Sequence, residues 1–161
     1  MLDSTPTRRS STWYVSGPLR RLCFSSRGAH LESILVDSNV LIAFFDSTHI
    51  NHAVVKKSIP RTQIQFAIST ASVIECLIRA YDRGYEFAIE YEITFRELIS
   101  ERLDLTNPIA LQAAQLLSKY RISFVDAIIW ATAEFHGLVL WTLDRRLANK
   151  SPNIRYLLEA E

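Results

Sequence analysis

Apolar residues in this chain fall into short continuous runs separated by stretches of helical period. Ile34-Leu35-Val36 is one such run, followed by a helix expected over Asn39 to Phe45 and a second over Asn51 to Ile59 that Pro60 stops. Phe66 to Ser69 reads as a strand, with Thr70 placed to cap the helix after it. In that helix Val73, Ile74, Leu77, Ile78 and Tyr81 share one face, and Gly84 suits the left-handed turn at its end. Phe87, Tyr91, Phe95, Leu98 and Ile99 mark a further amphipathic helix, and Leu103 to Leu105 a short strand. Asn107-Pro108 opens the next helix, asparagine as cap and proline as first helical residue. Ile109, Ala113, Leu116, Leu117 and Tyr120 continue it. A helix from about Phe124 to Phe135 should end at Gly137, before strands over Leu138 to Trp141 and Ile154 to Leu157. Short apolar strands alternating with amphipathic helices predict an α/β fold with a parallel sheet covered on both faces. Ligands of such sheets bind outside the carboxyl ends of the strands, near a reversal of strand order.

The first 32 residues follow neither period. Nine serines and threonines crowd among Arg8, Arg9, Arg20, Arg21 and Arg27, a composition that buries too little apolar surface to offset the entropy of ordering. Residues 1–32 are therefore expected to be a disordered Arg/Ser-rich extension, or a start assigned too far upstream, with an organelle transit peptide as a third reading. Residues 33–161 are expected to be one domain, since 161 residues hold one substantial core. The extension also distorts the charge. The overall +1 divides into +3 over residues 1–33 and −2 over the rest, so the body does not grip nucleic acid by bulk charge. Any such contact must come from a local patch or a bound cation. No apolar run approaches the roughly 18 residues of a membrane span. Cys23 and Cys76 form no CxxC pair, which disfavours a zinc site or disulfide scaffold and makes a cytoplasmic location the default.

Four acids stand where a solvated charge would be odd. Asp37 follows the run Ile34-Leu35-Val36, and Glu75 interrupts an apolar helix start after the second strand. Asp126 sits between Phe124-Val125 and Ala127-Ile128-Ile129-Trp130, and Asp144 comes three residues after Trp141. All four map to one edge of the expected sheet. Each alone also has a structural explanation: Asp37 would cap the following helix, and Asp126 would sit near a helix N-terminus whose dipole favours an anion. Several carboxylates converging in a cleft repel one another unless a proton or a cation intervenes. Oxygen-only donors favour a hard ion, Mg²⁺ or Mn²⁺, which activates water and stabilises charge on a phosphoryl oxygen.

Ile34-Leu35-Val36-Asp37-Ser38-Asn39-Val40-Leu41-Ile42 resembles the opening strand and turn of PIN-domain nucleases. Ser72-Val73-Ile74-Glu75 resembles their second motif, Phe124 to Ala133 their third, and Leu140-Trp141-Thr142-Leu143-Asp144 their fourth. The resemblance covers residues 33 to 160. It implies a three-layer α/β/α sandwich with a central, mostly parallel sheet, and magnesium- or manganese-dependent cleavage of RNA. Many bacterial members resemble the VapC toxin of a toxin–antitoxin pair, are often dimeric, and are held inactive by a small antitoxin protein. Carried over by position, Asp37, Glu75, Asp126 and Asp144 are the catalytic, metal-binding acids. Ser38, Asn39 and Thr142 match accessory polar positions that orient the acids or water. Leu147 departs from the phenylalanine common at that position, and the Arg-rich extension lies outside the family pattern.

Other residues carry less. His49 and His52 are spaced i and i+3 at a helix start, but lack a third metal ligand. Arg145 and Arg146, next to Asp144, are candidate substrate contacts, whereas Arg79, Arg83 and Lys150 read equally as solvated surface. Trp130 and Trp141 read as core, and Cys76 as a packed thiol. A phosphatase reading needs a second acid at position 39, where this chain has Asn39, and a dinucleotide site needs a GxGxxG that is missing. The alternative from another class is a non-catalytic PIN-like scaffold that binds RNA or protein. Tyr85, Phe87, Ile89, Tyr91 and Phe95 exceed what one sheet face needs, which points to self-association or an inhibitor.

Overall fold

The computed structural model describes residues 32–59 and 64–158. The extension expected over residues 1–32 lies outside these apart from Glu32, as does Pro60. Five strands form one sheet in the order β3-β2-β1-β4-β5, every neighbouring pair parallel. They are β1 (Glu32–Val36), β2 (Ile64–Ser69), β3 (Glu101–Leu103), β4 (Val139–Thr142) and β5 (Ile154–Tyr156). Between β1 and β2 come α1 (Ser38–Phe45) and α2 (His52–Ser58), and between β2 and β3 come α3 (Thr70–Tyr81) and α4 (Tyr85–Leu98). Then α5 (Asn107–Lys119) and α6 (Phe124–His136) precede β4, and α7 (Arg145–Ala148) precedes β5. The expected α/β architecture is therefore present, with a central sheet that is wholly parallel among the described residues.

Alternation along β1 divides the core. Leu35 faces Ile109, Ala113 and Leu116 of α5 and Ala127, Ile128 and Trp130 of α6. Ile34 and Val36 face the other way, toward Val40 and Leu41 of α1, Val55 of α2, Cys76 of α3 and Phe95 of α4. The period of two on the strand thus builds both helical layers of an α/β/α sandwich. Trp130 and Trp141 are buried, as their apolar surroundings in the chain implied. Gly137, at φ 67°, ends α6 in the left-handed region where a residue without Cβ fits without strain. No helix among the described residues is long and apolar enough to cross a membrane.

Four local expectations need correction. Helix α3 packs through Ser72, Cys76 and Ala80, while Ile74 and Ile78 are 62% and 55% exposed. Small residues spaced i, i+4 and i+8 let α3 approach its neighbours closely, so packing overrides the larger apolar face. Its cap is Ser69, whose Oγ accepts from the Ala71 N–H at 3.3 Å, rather than Thr70. The third strand is Glu101–Leu103 rather than 103–105: as an edge strand it pairs only with β2, so its first two residues are exposed and only Leu103 is buried. Helix α5 takes Thr106, not Asn107, at its cap position. Helix α7 was not anticipated, because four residues carry too little periodicity to register.

Phe95 is fully buried whereas Ile74 is on the outside. Phe95→Ala should cost about 3–5 kcal/mol and Ile74→Ser less than about 0.5 kcal/mol in urea unfolding. Equal losses would contradict this assignment of the α3 and α4 faces.

Candidate active site

The chain runs outward from β1 through β2 to β3, then returns to the other side of β1 with β4 and β5. Strand order reverses between β1 and β4, and a crevice opens at the carboxyl ends of such a pair. Asp37 follows β1 and Thr142 ends β4; the Asp37 N–H donates to the Trp141 carbonyl at 2.9 Å, fixing one strand end against the other.

The Asp37 side chain is buried, 2% exposed, and its side-chain hydrogen-bond partners among the described residues are all neutral. Its Oδ2 accepts from Thr142 Oγ1 and from Asn39 Nδ2, each at 2.7 Å. Thr142 Oγ1 in turn accepts from Asn39 Nδ2 and from the Asp144 N–H, each at 3.0 Å, which fills the one-donor, two-acceptor capacity of a hydroxyl. Asn39 Oδ1 accepts from the Leu143 N–H at 2.9 Å. Ser38 Oγ lies 3.3 Å from Asp37 Oδ1 but donates at 2.6 Å to Glu75 Oε2. Bonds therefore run from Glu75 to the Ser38 hydroxyl, from the Ser38 backbone to the Asp37 carboxylate, and on through Asn39 and Thr142 to Asp144. Asp37 also holds the cap position of α1, yet its carboxylate makes no capping bond. The structural explanation for Asp37 fails there.

Burial pushes the Asp37 carboxyl up from 3.8 to about 6; the Thr142 hydrogen bond pulls it down, and the charges of Asp126 and Glu75 push it further up. Glu75 and Asp126 therefore lie within electrostatic reach of Asp37. Two of the acids do have structural duties. Asp126 completes a capping box with Ser123: its backbone N–H donates to Ser123 Oγ at 3.0 Å, and its Oδ2 accepts from the Ser123 N–H at 3.3 Å. Asp144 caps α7, its Oδ1 accepting from the N–H groups of Arg146 and Leu147. Each leaves its other carboxylate oxygen without a hydrogen bond among the described residues, as Glu75 leaves Oε1. The pattern Ser123-Phe124-Val125-Asp126 is the sequence signal of this capping box.

Among the described residues, no three His, Cys, Asp or Glu side chains form a ready-made metal cage. Mg²⁺ needs none, since it keeps several waters and binds through one or two carboxylates together with substrate phosphates. The donors here are all oxygen, and the charges acting on Asp37 are further carboxylates, so the set fits a small hard cation. His49 and His52 do not add to it. His49 Nδ1 accepts from the Asn51 N–H at 3.1 Å within the loop before α2, and His52 Nδ1 contacts the Ala43 carbonyl of α1 at 2.9 Å, so one nitrogen of each ring is already used. Arg145 and Arg146 are exposed on α7, directly after Asp144. Cys76 is a packed thiol, pushed up to about 12 by burial.

The PIN domain family model matches residues 34–151. The chain belongs to the PIN domain family. Solved structures of this fold include a toxin–antitoxin complex from Klebsiella pneumoniae, 25% identical, covering 79% of this chain and 99% of that one at a TM-score of 0.67. A sarcin-ricin-loop-cleaving VapC toxin of Mycobacterium tuberculosis is 21% identical, covering 72% and 93% at a TM-score of 0.60. A Rickettsia felis VapBC bound to a promoter DNA fragment is 14% identical, covering 76% and 95% at a TM-score of 0.61. No curated protein matches the chain. In this PIN domain, the four expected acids stand along the sheet edge that the crossover pattern implied, three of them linked by field and the fourth through Thr142.

The raised Asp37 carboxyl has a consequence for stability. The folded state holds that proton more tightly than the unfolded chain, so ionised Asp37 works against the fold. The penalty is absent below about pH 4, grows to about pH 6 and is complete above it, amounting to about 3 kcal/mol at most. Asp37→Asn should therefore be more stable than wild type at pH 7.5 without divalent ions, by about 1–3 kcal/mol, with the difference closing near pH 4. Urea unfolding across that range checks it; a variant less stable than wild type at pH 7.5 would contradict it.

Proposed function

We propose that this PIN domain is a divalent-metal-dependent endoribonuclease, the toxin of a toxin–antitoxin pair. The observation that carries the reading is the buried Asp37 carboxylate, held by neutral groups and repelled by Asp126 and Glu75 at the strand-order switch. Such a charge calls for a cation rather than for a partner side chain. Asp37, Glu75, Asp126 and Asp144 would hold Mg²⁺ or Mn²⁺. When bound, the ion would supply an activated water and a counter-charge for the phosphoryl oxygens. Thr142 and Asn39 fix the Asp37 carboxylate in one orientation, and Ser38 aims Glu75. Arg145 and Arg146 are exposed beside Asp144 and suited to RNA phosphates. Cleavage itself needs only that the water and the scissile phosphate be held in line by these groups.

The partners proposed are RNA as substrate, a small antitoxin and a second copy of the chain, in a cytoplasmic setting. The solved neighbours from Klebsiella pneumoniae and Rickettsia felis support the antitoxin. Tyr85, Phe87 and Ile89 on α4, with Ile74 and Ile78 on α3, are exposed and support an interface. Phe95 and Tyr91 do not contribute, being buried and half-buried. The second reading is a non-catalytic scaffold that binds RNA or protein, in which Asp126 and Asp144 do no more than the helix capping already described, a duty that both readings share.

Substitution separates the two. Asp37→Asn and Asp126→Asn should each lower cleavage of a mixed single-stranded RNA pool by on the order of a hundredfold or more. Ser38→Ala should hurt far less, because Ser38 only orients a ligand. Chelation should abolish cutting, and Mg²⁺ or Mn²⁺ should restore it where Ca²⁺ does so poorly. Full activity of Asp126→Asn, or of wild type in excess chelator, would favour the scaffold.

A further inference from the structure

Beside the acid site lies a second concavity of about 320 Å³, lined by Asn39, Ile42, His49, Asn51, Arg79, Leu143 and Asp144. Asn39 and Asp144 belong to both places, so whatever fills this concavity touches the proposed reaction centre. Of its remaining polar groups, Arg79, the Asn51 side chain and one nitrogen of His49 keep hydrogen-bonding capacity among the described residues. Among the described residues, Arg79 makes no ion pair or hydrogen bond, and the Asn51 side chain makes no capping bond although it holds the cap position of α2. His49 Nδ1 accepts from the Asn51 N–H, so the neutral ring carries its proton on Nε2 and offers it as a donor. That bond also holds His49 and Asn51 in one fixed arrangement. Ile42 and Leu143 add apolar surface between the polar groups.

We infer that this concavity is a nucleobase subsite, which reads the base next to the scissile phosphate; the inference rests on the endoribonuclease reading. Apolar surface suits the face of a base, and a rim of hydrogen-bonding groups suits its edge; single-stranded RNA presents both. The donors Arg79 and His49 Nε2–H match an edge that offers two acceptors, as guanine does with O6 and N7; cytosine also pairs two acceptors, O2 and N3, but lacks the N1–H and N2–H donors of guanine, which the Asn51 amide oxygen on the same wall would accept. A bare phosphate fits less well, because Asp144 brings a carboxylate to the same wall.

The test is binding, measured in chelator so that nothing is cut. Four short uridine-rich RNAs, differing only in G, A, C or U at the centre, are titrated by fluorescence anisotropy. Wild type should bind the guanine RNA about tenfold or more tighter than the cytosine one, the scale of one good bidentate contact. Arg79→Ala and Asn51→Ala should each bring the four within about threefold. Arg79 is exposed and Asn51 sits in a surface loop, so neither truncation should disturb the fold. Absence of any preference in wild type, preference for another base, or equal weakening of all four RNAs by Arg79→Ala would overturn the assignment; the last would mark a phosphate contact. Failure of the nuclease reading shows separately, as absence of Mg²⁺-dependent cleavage whatever the binding preference.

Discussion

The burial of one negative charge, on Asp37, organises the carboxyl edge of this sheet. A carboxylate out of water is tolerated only where hydrogen bonds meet it, and here they come from Thr142 at the end of β4 and Asn39 in the first turn of α1. Both groups act on other partners as well. Asn39 holds the Leu143 N–H, and Thr142 holds the Asp144 N–H. The turn after β4, the start of α1 and the end of β1 are thereby locked to a single arrangement. That arrangement does not neutralise the charge, since the carboxyl remains raised to about 6 with Asp126 and Glu75 pushing on it. Among the described residues no cationic side chain makes a hydrogen bond or ion pair with Asp37, and it is this uncompensated charge that the proposed divalent cation would answer.

The neighbouring acids show how one residue can hold the fold and still offer a carboxylate oxygen to a site. Asp126 and Asp144 each use one oxygen to hold a helix N-terminus, which fixes the orientation of the carboxylate as firmly as a hydrogen bond from a neighbouring side chain would. The other oxygen stays available. Capping and ligation are thus compatible roles, and a capping bond is no argument against a functional one. Asp37 is the informative exception: it stands at a cap position, caps nothing, and is the most deeply buried of the four.

Much of this was legible in the chain, for physical reasons that differ by element. The run Ile34-Leu35-Val36 announced a strand buried on both faces, and Gly137 announced the end of α6. The four acids were visible because each interrupts or ends an apolar run. Helix α3 misled, because Ile74 and Ile78 carry the stronger hydrophobic signal while Ser72, Cys76 and Ala80 make the contact; close approach rewards small side chains, which hydropathy does not score. Strand β3 misled because an edge strand needs no continuous apolar run. The concavity of His49, Asn51 and Arg79 left no periodic trace, since it joins a loop to one exposed turn of α3 and exists only once the chain is folded.

The central claim is that the Asp37 charge is completed by a divalent cation, and a thermal melt against Mg²⁺ concentration at pH 7.5 tests it without any substrate. A ligand that binds only the folded state raises the melting temperature in proportion to the logarithm of its concentration once that exceeds Kd. Wild type should gain stability steadily with Mg²⁺ or Mn²⁺, while Asp37→Asn, already relieved of the repulsion, should gain little. A wild type indifferent to millimolar Mg²⁺ and Mn²⁺, or equal gains in both proteins, would contradict it.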